Sequence, residues 1–531
     1  MNRSGSNLKT EAAQRYHDAT KHSETKLRRD SHFLDWSNQP RPFKIYCDVE
    51  SVALPSDPKI LAAARQPLLD IIGMPPTDTE DQGIVEQIPD LGMLARILYL
   101  AAGVTKHKRY PGGGEMYFRA YPNTGALYHI DLYLVTGDLP GLAAGVYHFG
   151  PNDFALHRLR AGDYRAVLAE ASGMEARIAH APAILASAST YWRNAWKYQA
   201  RAYRHCFWDA GTLHANLLAA ADAELLQPRV VLGFVDASIA ALLGLDAARE
   251  APLTLVPLGC TETPIPAAPP MPTLAIETEA LSHSEVDYPA IRDMQQASSL
   301  LTRAAVAAWR NPLAIPPSIP SAKSAGATFR LLESVAEAKL TRRSLSDVIR
   351  KRGSTRAFDR TRTIGFPALC TVLDRATRGV AADMLAPGST LLDHYLIVHA
   401  VEGLAPGAYY YQREERSLEL LREGDFRAIA GRLDLGQALA GDAAVNVYSL
   451  CSLPVVLGHF GNRGYRAAQL EGGITGGRMY LAAYAQGLGA TGLTFFDDEV
   501  TEFFSPHAAG KSVMFLVALG YPDRVALGLE R

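Results

Sequence analysis

Residues 141–164 read GLAAGVYHFGPNDFALHRLRAGDY, and residues 403–426 read GLAPGAYYYQREERSLELLREGDF. The two stretches begin 262 residues apart, and their glycines, aromatic residues and closing Gly-Asp fall in step. The same offset carries Arg201-Ala202-Tyr203-Arg204 onto Arg463-Gly464-Tyr465-Arg466, Gly211 onto Gly473 and Asp236 onto Asp498. It also carries DLYLV (131–135) onto DHYLI (393–397). The closing apolar run slips by one residue, because LVPLG ends at Gly259 and LVALG at Gly520. A single long period of this kind indicates a duplicated domain. Solenoid repeats are much shorter and need several copies to bury a core.

Each copy predicts the same order of elements. A helical pattern comes first, LGMLARILYLAAG (91–103) and FPALCTVLDRATRG (366–379), with apolar residues at helical spacing and a closing glycine. A strand and its hairpin partner follow. Next comes a long helix, RAYRHCFWDAGTLHANLLAAADAEL (201–225) and RGYRAAQLEGGITGGRMYLAAYAQGL (463–488), and then the apolar closing strand. Helices and strands sharing one sheet predict an α+β fold. The expected organisation is an N-terminal accessory region (1–89), a first domain (90–260), a linker and accessory segment (261–342) and a second domain (343–531). The linker assignment rests on Pro-rich TETPIPAAPPMPTL (261–274) and NPLAIPPSIPSAKS (311–324), since proline opposes regular structure.

The chain has 531 residues, 48% of them hydrophobic, and a formal net charge of −2. That balance speaks against a general nucleic-acid binder, which would be basic. The cysteines, Cys47, Cys206, Cys260, Cys370 and Cys451, form no C-x-x-C pair and are odd in number, so they read as isolated thiols. No apolar stretch reaches the ~20 residues that span a bilayer, and the first residues are polar, so no membrane association is expected and the cytoplasm is the expected compartment. Metalloprotease, P-loop, nucleophile-elbow and zinc-type spacings are absent, and so is the GxGxxG of a dinucleotide-binding turn.

Several stretches resemble the nitroreductase-like FMN flavoproteins, and more narrowly the tandem SagB/ThcOx-type dehydrogenases associated with thiazole and oxazole formation in peptides. They are YHDATKH (16–22) with HFLDWSNQPRPFK (32–44), GGGEMYFRAYPNTGALYHIDLYLV (112–135), WKYQARAYRHCFWDAG (196–211) and RKRGSTRAFD (350–359). The resemblance implies two fused nitroreductase-like domains that form an internal pseudo-dimer and bind FMN. It also implies a peptide or small-molecule substrate and a cyclodehydratase partner.

The resemblance places Arg352, Ser354 and Arg356 on the FMN phosphate, a role their charge-assisted donors suit. Arg524 is a further candidate there. Pro122, Asn123, Thr124 and Gly125 would lie against the flavin ring. Gly489, Ala490 and Thr491, within the run Gly487–Gly492, read as a flexible loop that lets backbone N–H groups approach a cofactor. Lys197 and Tyr198 match a Lys-Tyr pair implicated in azoline oxidation; lysine would serve as base and tyrosine as hydrogen-bond donor.

The losses between copies are complementary. The first copy has Asp90-Leu91-Gly92-Met93-Leu94 where the phosphate motif would fall, and Leu225-Leu226-Gln227-Pro228-Arg229 in place of the Gly-rich run. The second has Met384–Thr390 in place of the Pro-Asn-Thr loop, and His459-Phe460 in place of Lys-Tyr. One FMN site shared between the copies is therefore expected. The alternatives are an NAD(P)H-dependent nitro- or quinone reductase on the same fold and a flavin-free scaffold that binds a peptide. The recurring Arg201, Tyr203, Arg204 and Gly211 read as structural, and the basic run His107-Lys108-Arg109 as a solvated loop.

Overall fold

The computed structural model describes residues 7–29, 32–74, 86–110, 114–310, 327–330, 340–523 and 525–526. Its strands are β1 (Ser51–Ala53), β2 (Val104–Arg109), β3 (Glu115–Arg119), β4 (Ile130–Thr136), β5 (Gly145–Gly150), β6 (Ala155–Ala161), β7 (Ala183–Thr190) and β8 (Glu250–Leu258) in the first half. The second half has β9 (Thr328–Arg330), β10 (Asp393–Val398), β11 (Gly407–Gln412), β12 (Ser417–Glu423), β13 (Val445–Cys451), β14 (Gly489–Gly492) and β15 (Ser512–Gly520). The strand orders are β1-β6-β5-β4-β7-β8 and β14-β15-β13-β10-β11-β12-β9, so the repeat-related strands occupy the same places in two sheets.

Both sheets are antiparallel, yet β4, β7 and β8 are buried along their whole length. Both faces are covered, one by the long helix through Cys206 and His214 and the other in part by the Lys44–Tyr46 stretch, which is why these strands read as continuous apolar or small-residue runs rather than as alternating ones. β7 (AILASAST) and β13 (VNVYSLC) escape the sequence reading for that reason. β6 and β12 extend each hairpin outward and go unassigned there too. The expected loop at His107-Lys108-Arg109 is instead β2, which pairs with β3 in a separate two-stranded ribbon.

The long helices Ala202–Ala223 and Arg463–Ala485 are buried almost throughout and cross at Gly211 and Gly473. A Cβ on Gly211 would lie 2.6 Å from Gly473 Cα, and one on Gly473 2.9 Å from Gly211 Cα. Only glycine lets the two backbones approach this closely.

Two buried ion clusters flank the crossing. Arg201 and Arg204 meet Asp497 on one side, and Arg463 and Arg466 meet Asp236 on the other. The offset had paired Asp236 with Asp498. The slip that shifts the closing strand is already present at this point, so Asp497 takes the buried place while Asp498 forms a surface pair with Lys21.

The accessory segments complete this arrangement. Tyr16, on the helix Glu11–Thr20, sets its ring 5.5 Å from Tyr203 and 5.8 Å from Tyr465, the two repeat-related tyrosines. From the 261–310 stretch, Ser298 Oγ accepts from Arg466 Nε at 2.8 Å and lies 3.0 Å from Tyr203 Oη. This part of the expected linker and accessory segment is packed into the junction between the sheets. The remainder of the expected linker lies largely outside the described residues. No helix among the described residues is long and apolar enough to cross a membrane.

Candidate functional site

The helix Tyr191–Tyr198 carries Lys197 and Tyr198 in its last turn. Arg193, one turn earlier and fully buried, fixes the helix. It donates to the Asp131 carboxylate on β4, to Thr190 Oγ1 at 2.8 Å and to the Tyr128 carbonyl at 2.9 Å. Lys197 is half-buried, and its Nζ has no hydrogen-bond or carboxylate partner among the described residues. Burial lowers its pKa below the ordinary lysine value, and the Arg356 guanidinium lowers it further. Burial and the Asp209 charge push the Tyr198 phenol up, opposed by Arg356, so the hydroxyl stays protonated and able to donate. Lys197 and Tyr198 belong to the first half and Arg356 to the second, and folding brings them together.

The Pro122–Gly125 stretch is held by Asp209 on the first long helix. Asp209 accepts from Asn123 Nδ2 at 2.8 Å, the Thr124 N–H at 3.0 Å and Thr124 Oγ1 at 2.6 Å, and its Oδ2 lies 2.9 Å from His129 Nε2. Thr212 Oγ1 donates to the Pro122 carbonyl at 2.6 Å. Gly125 (φ 61°), Ala126 (φ 55°) and Tyr128 (φ 49°) all lie in the left-handed region. For the two non-glycine residues this is strained, and it persists because the surrounding bonds over-determine it. The space above Gly125 belongs to Tyr198, whose Oη lies 3.0 Å from where a Cβ would stand.

Arg352 ends the helix Leu345–Lys351 and reaches into the other half. Its Nε donates to the Ala120 carbonyl at 3.1 Å, Nη2 to Arg119 O at 3.2 Å and Nη1 to Gly353 O at 3.2 Å. Guanidinium has five N–H groups, so two remain for a further acceptor. Ser354 is exposed, with its Oγ 3.4 Å from Tyr480 Oη. Arg356 is exposed and has no carboxylate partner among the described residues.

Gly489, Ala490 and Thr491 lie in strand β14, hydrogen-bonded to β15, so the flexible-loop expectation is corrected. Leu488 and Ala490 are buried and draw this run into the sheet. The glycine has a different use: a Cβ on Gly489 would collide with Thr355 Oγ1, and the close approach lets Thr355 N donate to the Ala490 carbonyl at 2.9 Å. β14 thus anchors the Arg352–Arg356 segment, and Gly492 at its end donates to Tyr480 Oη. Arg524 lies outside the described residues.

At the repeat-related place on the other side the two halves are hydrogen-bonded directly to each other. Val230, the counterpart of Gly492, donates to Ala381 O at 2.8 Å and accepts from Asp383 N at 2.9 Å. The Asp383 carboxylate takes the N–H groups of Leu232 (2.7 Å) and Gly233 (2.9 Å) and pairs with Arg310 at 3.1 Å.

Asp209, Arg193, His129 and Tyr480 were not singled out in the sequence. For Asp209 the repeat held a usable signal, because Glu471 stands at the same offset. Glu471 holds the second copy's loop in the same manner, accepting from Thr390 Oγ1 at 2.5 Å and Leu391 N at 2.8 Å.

The Nitroreductase family profile matches residues 349–521. MJ1384 of Methanocaldococcus jannaschii, a nitroreductase-type protein by name, is 30% identical over 166 residues, which is 31% of this chain and 78% of that protein. The Escherichia coli microcin B17-processing protein McbC is 29% identical over 140 residues, 25% of this chain and about half (52%) of McbC. A nitroreductase-type crystal structure from Anabaena variabilis superposes with a TM-score of 0.74 at 24% identity and covers 96% of this chain and 99% of its own, which shows that the fold is shared along nearly the whole length. The chain belongs to the nitroreductase family.

Proposed function

We propose that this protein is an FMN-dependent oxidoreductase that converts thiazoline or oxazoline rings in a peptide to azoles. In this reading, two duplicated units, 90–260 and 343–531, form an internal pseudo-dimer with a single shared FMN site. The observation that carries it is the bonding of Arg352 from one unit to the Arg119 and Ala120 carbonyls of the other, with the Arg356 charge acting on Lys197 and Tyr198 beside the strained Gly125 turn. The reciprocal crossing of Gly211 and Gly473 supports the pseudo-dimer, since an isologous interface places equivalent residues opposite each other. The processing role in McbC's name supports the substrate class.

The donor set suits a phosphomonoester. Among the described residues Arg352 has two N–H groups left, Ser354 offers a hydroxyl and Arg356 a guanidinium without a carboxylate partner. Near the same strand, the buried Thr494 Oγ1 lacks a partner among the described residues. Arg352, Ser354 and Arg356 would hold the phosphate, and the Pro122–Gly125 stretch would lie along the ring system. When bound, FMN supplies a two-electron acceptor.

Aromatisation of an azoline removes a proton from Cα and a hydrogen with its electron pair from Cβ, leaving a carbon–carbon double bond. Lys197, with its depressed pKa, takes the Cα proton. Tyr198 donates a hydrogen bond that orients the ring. A cyclodehydratase is the partner that supplies the azoline. At the repeat-related place Val230 and Gly233 bond directly to Asp383 of the other half, which supports one FMN per chain.

The test is to purify the protein, read its visible spectrum, count FMN per chain and offer it a thiazoline peptide. About one FMN per chain and conversion to thiazole is the expected result. Two per chain would overturn the single shared site. Reduction of nitro compounds by NAD(P)H with no azoline turnover would move the protein to the reductase reading. A colourless protein that takes up no FMN would leave the peptide-binding scaffold.

A further inference from the structure

A chain of hydrogen bonds runs from the Pro122–Gly125 stretch toward Tyr198, and its donors and acceptors can be ordered. The Asp209 carboxylate accepts from Thr124 Oγ1 at 2.6 Å. With its own proton engaged there, Thr124 Oγ1 accepts from Asn194 Nδ2 at 2.7 Å. Asn194 Oδ1 is then an acceptor, 2.8 Å from His205 Nδ1. His205 therefore carries its proton on Nδ1 and a lone pair on Nε2. Burial lowers the His205 pKa well below the ordinary histidine value, and Arg201 lowers it further, so the ring is neutral.

The His205 ring meets Tyr198 edge to face with centroids 4.4 Å apart, and Trp208 stacks on it at 4.9 Å. Tyr198 in turn stands over Gly125, next to Thr124 where the chain began. The circuit closes on itself, and all of it lies in the first half. The second half builds the same two helices, Leu453–Phe460 and Arg463–Ala485, without it. At the 262-residue offset Val456 stands for Asn194, Ala467 for His205 and Phe460 for Tyr198, and only the carboxylate is kept, as Glu471. Asn194 and His205 are thus buried polar groups that the fold itself does not need. They occur in the half that carries Lys197 and Tyr198.

We propose that Asn194 and His205 are positioning residues for Tyr198. The chain holds the His205 ring in one orientation and one tautomer, and that ring holds the phenol above the Gly125 turn. Cutting the chain frees the ring and lets the phenol leave the place from which it donates to the substrate. This rests on the reading of Lys197 and Tyr198 as the reacting pair and adds how the tyrosine is fixed between the Pro122–Gly125 stretch and the long helix.

The test uses the full FMN-loaded chain and a thiazoline peptide. Asn194→Val cuts the chain with a side chain that the second half carries at the same place. His205→Phe, which keeps a ring and removes the Nδ1 donor, serves should the first variant not fold. Either is expected to slow turnover about 10- to 100-fold with KM and FMN content unchanged. Combined with Tyr198→Phe, the same substitutions are expected to slow it no further, because residues that act as a unit are not additive. Nitrogen-15 NMR of histidine-labelled protein, with the His205 signal assigned by its loss in His205→Phe, is expected to show the Nδ1–H tautomer in wild type and a mixture in Asn194→Val. Full turnover in both variants would overturn the proposal. So would losses that multiply with that of Tyr198→Phe, which mark a purely structural role. The tautomer is read without turnover. A mixed tautomer in wild type therefore rejects the chain, whereas a locked one in a protein that oxidises no azoline rejects the reading of Lys197 and Tyr198.

Discussion

Arg204 Nη1 donates to Asp497 Oδ1 at 2.6 Å, joining the long helix of the first half to the segment before the last strand of the second. Its counterpart runs the opposite way, from Arg466 Nη1 to Asp236 Oδ1 at 2.7 Å. Burial alone would raise the Asp497 carboxyl, but Arg201 and Arg204 hold it well below the usual carboxylate range. Asp497→Asn would leave two buried guanidiniums short of charge, and removal of one partner of a buried pair costs about 3–5 kcal/mol. Urea unfolding at pH 7 should show a loss of that size.

The same pair sets an acid limit. A carboxyl whose folded pKa is depressed contributes stability above its unfolded value, near 3.9, and that contribution fades as pH falls through the folded value. Asp236, also depressed, follows the same sign. Wild-type stability should therefore fall steeply below about pH 4. Asp497→Asn should flatten that slope while lowering stability at neutral pH. Thermal unfolding from pH 3 to pH 7 checks both.

Cofactor retention separates the phosphate ligands. Arg352→Ala removes charge-assisted donors, each worth about 1.5–3 kcal/mol, and also the bonds to the Arg119 and Ala120 carbonyls. FMN affinity should fall about 10- to 100-fold. Ser354→Ala removes one neutral hydroxyl and should weaken binding about tenfold at most. Fluorescence titration of the stripped protein gives both numbers, and a normal Arg352→Ala affinity would remove that residue from the site.

Lys197→Ala should keep FMN bound and slow azoline oxidation by about 10²- to 10⁴-fold. If Lys197 is the base, it must be neutral to act. The wild-type rate should then rise with pH and level off below the ordinary lysine pKa. Arg356→Gln removes a neighbouring positive charge that favours the neutral amine, so the plateau should move to higher pH. An unmoved pH profile would separate Lys197 from the proton transfer.

Gln199 follows Tyr198 with φ 50° and ψ −140°, a conformation its counterpart Gly461 adopts as a glycine. Gln199→Gly should relieve strain worth about 1–3 kcal/mol, less about 0.5–1 kcal/mol for the looser unfolded chain. A gain near 1 kcal/mol in stability with slower turnover is expected, because the strained backbone fixes where Lys197 and Tyr198 point. Calorimetry and rate measurement on the same sample decide it.

Residue order by itself showed the recurring offset of 262, the α+β class, the two long helices, and the candidate side chains from Pro122 to Arg356. These are local or periodic properties: a repeated offset, a helical spacing, a short cluster of donors. β7 and β13 stayed hidden because strands covered on both faces carry no alternation. β14 stayed hidden because its glycines were read as freedom of the chain, when in the fold Gly489 makes room for Thr355. Only the tertiary structure decided that Asp497 rather than Asp498 meets Arg204, that Asp209 locks the Asn123–Thr124 turn, and that Val230 bonds to Ala381 and Asp383 of the other half. Each of these is a contact between residues far apart in the chain, selected by distance and burial. A charge or hydroxyl looks the same in sequence whether it meets a partner or water, and packing alone fixes which.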